Sequence, residues 1–128
     1  MKYLCLICAV MEKMTEAAAE KHAEEYSEFT EAIGESGRYL GGNRLQPFHA
    51  AITVRVRNGR ITATEGAFVE TREQLGGYYL IEARDLNEAI QVASRMPGAR
   101  RGCVEVRPVA EDGQARRTLG FADTDIPR

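Results

Sequence analysis

Tryptophan is missing from this chain, and histidine is limited to two positions in 128 residues. The two, His22 and His49, stand far apart with no Cys or Asp at ligand spacing, so no metal is expected. Charge of one sign is also lacking. Seventeen basic against nineteen acidic residues leave a net charge of −2, which offers no broad positive field to nucleic acid or an anionic membrane. No apolar run approaches the ~20 residues that span a bilayer. There is no Walker loop, no GxGxxG and no GxSxG elbow, so no cofactor is expected. Three cysteines, an odd number, argue against a disulfide framework and fit a reducing compartment.

What is present begins at once with MKYLCLICAVMEK. Its apolar part ends at Glu12 without a small-residue cleavage pattern, so it reads as a first strand of a cytoplasmic protein and not as a signal peptide. Cys5 and Cys8 form a nominal C-x-x-C. On a strand, residues three apart face opposite ways and lie ~10 Å apart, which excludes a shared metal or bridge. Buried structural thiols are expected for both, and for Cys103 in a later strand.

Tyr3 to Ala9 is the first predicted strand. Thr15 caps a predicted helix to about Glu35, with Ala18, His22, Tyr26, Phe29 and Ile33 as its buried stripe. A short strand follows over Arg38 to Gln46. Ala51 to Arg57 alternates, Ile52, Val54 and Val56 against Thr53, Arg55 and Arg57, and Asn58-Gly59 turns it back into Arg60 to Thr64 as a hairpin. Gly77 to Ala83 is the next strand, with Gly76-Gly77 read as a bulge or close-packing site in preference to a phosphate loop. Asp85 and Glu88 form a capping box for a helix with Leu86, Ala89, Ile90, Ala93 and Met96 as its stripe. Cys103 to Pro108 is the last strand.

The order is β-α-β, hairpin, β-α-β, which predicts an α+β, ferredoxin-like domain over residues 1–109 with a polar extension at 110–128. Both helices fall on one sheet face. The other needs a cover, and a second copy of the chain supplies it as a homodimeric barrel.

GYYLIEARDLNEAIQVASRMPGARRGCVEVRPV, preceded by FVETREQLG and TVRVRNGR, resembles the YCII-related proteins, and among them the DGPF subgroup. The resemblance covers about four-fifths of the chain. It implies a dimeric α+β barrel, a bacterial protein without a known reaction, and gene neighbours encoding extracytoplasmic-function sigma factors. The subgroup's Asp-Gly-Pro-Phe turn aligns with Glu65, Gly66, Ala67 and Phe68, where two positions depart from it. Ala67 in place of Pro removes a fixed φ and restores a backbone donor. The wider family's His–Asp pair has its His on the first helix; Tyr26 stands nearest that position and His22 one turn earlier, so the pair is not carried over.

Candidate chemistry concentrates in Glu65 to Tyr78. Glu65 and Glu70 are the candidate proton-transfer carboxylates, and Phe68, Thr71, Gln74 and Tyr78, with Arg55 from the hairpin, are the candidate lining of a small-molecule site. The plain alternative is that these charges are solvated or paired with Arg55 and Arg57. His22 reads as a locally bonded boundary residue, although its placement also suits an acid or base. His49 reads as a solvated loop residue. Tyr78 and Tyr79 face opposite ways, so one lines a cavity and the other packs under a helix. Two function classes remain: a small-molecule binder with possible acid–base chemistry, or a non-enzymatic dimeric regulator tied to a sigma factor.

Overall fold

A computed structural model describes residues 1–10, 15–66 and 73–110. Strand β1 (Lys2–Val10) leads to helix α1 (Glu16–Glu35) and strand β2 (Tyr39–Arg44). A 3-10 turn at Phe48–Ala50 precedes the hairpin β3 (Ile52–Arg57) and β4 (Arg60–Glu65). Strand β5 (Glu73–Glu82), helix α2 (Leu86–Ser94), the single-turn helix α3 (Gly98–Arg101) and strand β6 (Gly102–Pro108) complete the order. The four-stranded sheet runs β2-β5-β1-β6 with antiparallel neighbours, while β3 and β4 pair only with each other. With the hairpin set aside, this is the ferredoxin-like strand order, and the fold is α+β.

Local chemistry accounts for most boundaries. Thr15 caps α1 by accepting from the Ala18 amide at 3.2 Å, and Gly37, at φ +75°, takes the left-handed position beyond its end. Asn58 and Gly59 both have positive φ, 52° and 74°, the backbone that a two-residue turn of right-twisted strands needs. In β5, Gly77 pairs with Ile7 but Leu75 with Cys8, so Gly76 is the extra residue of a β-bulge. The strand therefore starts earlier than predicted and passes through both glycines.

The core lies between the sheet and the helices. Tyr3, Cys5 and Ile7 from β1 and Tyr79 and Ile81 from β5 pack with Phe29 and Ile33 of α1, Ala89, Val92 and Ala93 of α2, and Met96. Helix α2 is rotated relative to its predicted stripe. Ala89, Ala93 and Met96 are buried as expected, but Leu86 and Ile90 are about half exposed and Val92 and Glu88 take the inward positions. Glu88 can do so because it is fully bonded. It accepts from Arg38 Nε at 3.1 Å, Arg84 Nε at 2.6 Å and the Arg84 amide at 3.2 Å, while Asp85 caps its own amide at 2.9 Å. The expected reciprocal capping box is thus displaced: the Glu88 carboxylate reaches the amide of Arg84, one residue before the cap. Of the thiols expected to be buried, Cys5 is, Cys8 is half-buried, and Cys103 is exposed because β6 is an edge strand.

Candidate functional site

The stripe of α1 divides into two halves. Phe29 and Ile33 are buried in the core, whereas Ala18, His22 and Tyr26 are only half-buried. Beneath that N-terminal half the helix and the sheet part, and a cleft of about 1350 Å³ opens between α1, the start of β5 and the end of β2. This exceeds the ~300–1,000 Å³ of most small-molecule sites, as befits an open groove. Its wall includes His22, Tyr26, Thr30, Arg44, Tyr79 and Arg101.

Aromatic contacts set the wall. The Tyr79 hydroxyl and Thr30 Oγ1 are hydrogen-bonded at 2.6 Å, which fixes the ring where Phe29 and Tyr39 meet it edge-on at 5.4 and 5.9 Å. Tyr26 stacks at 6.4 Å on the same ring and receives the His22 imidazole edge-on at 4.8 Å. The Tyr26 hydroxyl is bonded by the backbone of Gly98. A Cβ at Gly98 would collide with that hydroxyl and with Ile7 Cγ2, so glycine is what lets α3 sit against the cleft floor.

Charges of both signs stand at this wall, Arg44 and Arg101 with Glu31. Burial first, then Arg101, lowers the His22 pKa below the ordinary 6.5; Glu25 opposes this and Arg44 and Arg100 add to it. The imidazole is therefore neutral at pH 7, with a free lone pair on one nitrogen. Because the folded form binds its proton less readily than the unfolded chain, stability rises with pH through the window just below 6.5. Burial likewise raises the phenol pKa values of Tyr26 and Tyr79, so both remain donors. Beside the cleft, a notch of about 280 Å³ shares Ala18, His22 and Arg101 with it and adds Lys21 and Arg100, the latter bonded to Glu25 at 2.8 Å.

Of the residues put forward from sequence, Tyr78 borders the cleft, but its side chain is on the face of β5 shared with Leu6, away from the helices, where its hydroxyl accepts from Asn43 Nδ2 at 3.0 Å. Tyr79 packs under α1 and also lines the cleft, so the expected division of the pair, one in a cavity and the other under a helix, does not hold. Gln74 is buried on β5 below the bulge. Arg55 and Glu65 stand on the hairpin, Glu65 exposed and paired in register with Ile52. Gly66, the glycine of the expected turn, has φ +99° and its carbonyl accepts from Thr53 Oγ1 at 2.8 Å. Phe68, Glu70 and Thr71 lie outside the described residues. His49 is exposed in the 3-10 turn. Sequence reasoning passed over Arg44, Thr30 and Arg101 as site residues. A readable sign was present for His22 and Tyr26: they are the polar members of a stripe whose later positions, Phe29 and Ile33, are apolar.

Among the described residues no group of His, Cys, Asp and Glu could hold a metal ion. Nor is any described helix long and apolar enough to cross a membrane.

Comparison with known proteins gives the same fold a family. An uncharacterized protein of Rhizobium meliloti (strain 1021) is 34% identical over 111 residues, spanning 82% of this chain and 90% of the relative. The family model described as YCII-related domain matches residues 1–111, and the chain belongs to the YCII-related family.

Proposed function

We propose that this protein binds a small organic anion with an apolar or aromatic body in the cleft under α1, with His22 as the group that accepts or returns a proton. The observation that carries the reading is the meeting of a neutral imidazole, two arginines and two phenols on one concave wall. Arg44 and Arg101 supply charge for a carboxylate. The rings of Tyr26 and Tyr79 supply a flat apolar contact. A second copy of the chain, packed on the sheet face that carries no helix, completes the assembly. The candidate carboxylates Glu65 and Glu70 fall outside this cleft or outside the described residues, and the reading does not use them.

Benzoate, with the neutral amide benzamide as control, tests it by two-dimensional amide NMR. Saturable shifts at Tyr26, Leu45, Gly77 and Arg101 are expected with benzoate alone. Arg44→Ala should weaken binding about tenfold, a factor typical of one charge-assisted contact. Glu65→Gln and Glu70→Gln should leave it unchanged. Equal response to benzamide, or shifts confined to residues 65–74 and abolished by the two Gln variants, would sink the proposal.

A further inference from the structure

Cys8 and Cys103, expected as buried structural thiols, are direct cross-strand partners. The register of β1 and β6 sets Cys8 opposite Cys103. Opposed residues of an antiparallel pair have Cα atoms ~4.5–5.5 Å apart, inside the ~4.4–6.8 Å span of disulfides. The two thiols are already hydrogen-bonded to each other, and Cys103 Sγ also donates to Glu73 Oε2 at 3.1 Å. Both are on the face away from the helices, since Cys5 and Ile7, next in alternation, are core residues. The pair stands at the sheet's rim, near the end of β1 and the start of β6, and Cys103 is exposed there.

We infer that Cys8 and Cys103 are a redox-responsive dithiol that hydrogen peroxide closes to a cross-strand disulfide. Cys103, the exposed thiol, attacks the peroxide oxygen; the O–O bond breaks, and a sulfenic acid and one water form. Cys8 then attacks that sulfur and displaces the hydroxyl as a second water. Two thiols lose two electrons and two protons in all, and the peroxide is reduced to two waters. Opposed Cβ atoms stand ~4.5–5.5 Å apart in such a pair, slightly beyond the usual disulfide spacing, so closure draws the strands together and leaves a bond that external thiols reopen.

Two carboxylates govern the rate. Glu73 of β5 and Glu105 of β6 face the pair, and Glu105 is itself bonded to the Arg107 guanidinium. The hydrogen bond to Glu73, with burial, pushes Cys103 up to about 11, and burial, Glu105 and Glu73 raise Cys8. The attacking thiolate is scarce at neutral pH, so closure is slow there and quickens as the pH rises.

The test treats the reduced full-length protein with millimolar hydrogen peroxide and maps non-reduced peptides by mass spectrometry. A Cys8–Cys103 linked peptide, reopened by dithiothreitol, is expected, with Cys5 untouched. Its rate should keep climbing through pH 9, where an unperturbed thiol would level near ~8.5. Glu73→Gln should speed closure at least about threefold at pH 8, since it removes the nearer negative charge, an effect that a folding defect would not imitate in a rate normalised to native protein. Overturning results are sulfinic acid at Cys103 without the linked peptide, only intermolecular Cys103 dimers, or a rate indifferent to Glu73→Gln.

Discussion

Glu88 is a buried carboxylate with three donors, and among the described residues that makes it the clearest acid-sensitive one. The Arg38 hydrogen bond, with Arg84 beside it, outweighs the opposing effect of burial and holds its pKa at about 2. A carboxylate depressed in the folded state contributes stability that is complete above its unfolded pKa of ~4.3 and is lost as pH falls toward 2. Thermal unfolding followed from pH 7 to pH 2.5 should therefore show a drop below about pH 4.5 that is blunted in Glu88→Gln. That variant should also melt several degrees lower at pH 7, because Arg38 and Arg84 lose their shared acceptor. An unchanged acid limb in Glu88→Gln would assign the sensitivity elsewhere. In the sequence Glu88 was legible only as half of a capping box with Asp85. Arg38 lies fifty positions away, and nothing local announces a partner supplied by the start of another strand.

Elements with local punctuation were legible, and those fixed by tertiary packing were not. The Thr15 cap, the Asn58-Gly59 turn and the Gly76 bulge are each settled within a few residues and stand where the sequence placed them. Of the stripe expected for helix α2, Ala89, Ala93 and Met96 are inward, but Leu86 and Ile90 were placed there because they are apolar, whereas Val92 and Glu88 take those positions beside the small alanines. The cleft was the harder case, since a cavity exists where two elements part, and separation leaves no periodic trace. Close approach of strands does make a graded prediction. A Cβ at Gly42 would lie 2.6 Å from the Tyr78 carbonyl oxygen and one at Gly77 would lie 3.0 Å from that of Asn43, both backbone atoms that cannot swing away. At Gly76 the nearest such atom, the Ile7 oxygen, is 3.9 Å off. Alanine at these positions should cost most at 42, on the order of 1–3 kcal/mol, somewhat less at 77, and within about 0.5 kcal/mol at 76. Urea unfolding ranks them, and a reversed order would mean that the bulge, and not the spacing of β2 and β5, limits the sheet.

At the scale of the whole molecule the unbalanced feature is the distribution of apolar surface. The helices cover the face of Tyr3, Cys5 and Ile7; the opposite face carries Leu4, Leu6 and Leu80, with Leu75 42% exposed. The hairpin adds Ile52, Val54, Val56 and Ile61, each more than half exposed, so the alternation read from sequence is real but its apolar side meets solvent in the single chain. Four strands ~4.8 Å apart and some eight residues long present about 500 Å² a side, near the ~1,000 Å² total that a specific interface needs before the hairpin is counted. Glu73, Glu105 and Arg107 border that face as a polar rim would. The proposed second copy predicts a particle of twice the 14.2 kDa chain mass by light scattering after size exclusion. Leu6→Arg, which sets a charge at the centre of the face without touching the helical core, should yield a single-chain mass with the helical circular dichroism retained. Wild-type protein at single-chain mass across the micromolar range, or a Leu6→Arg variant that stays paired, would move the interface off the sheet and leave the hairpin ladder as the surface to probe.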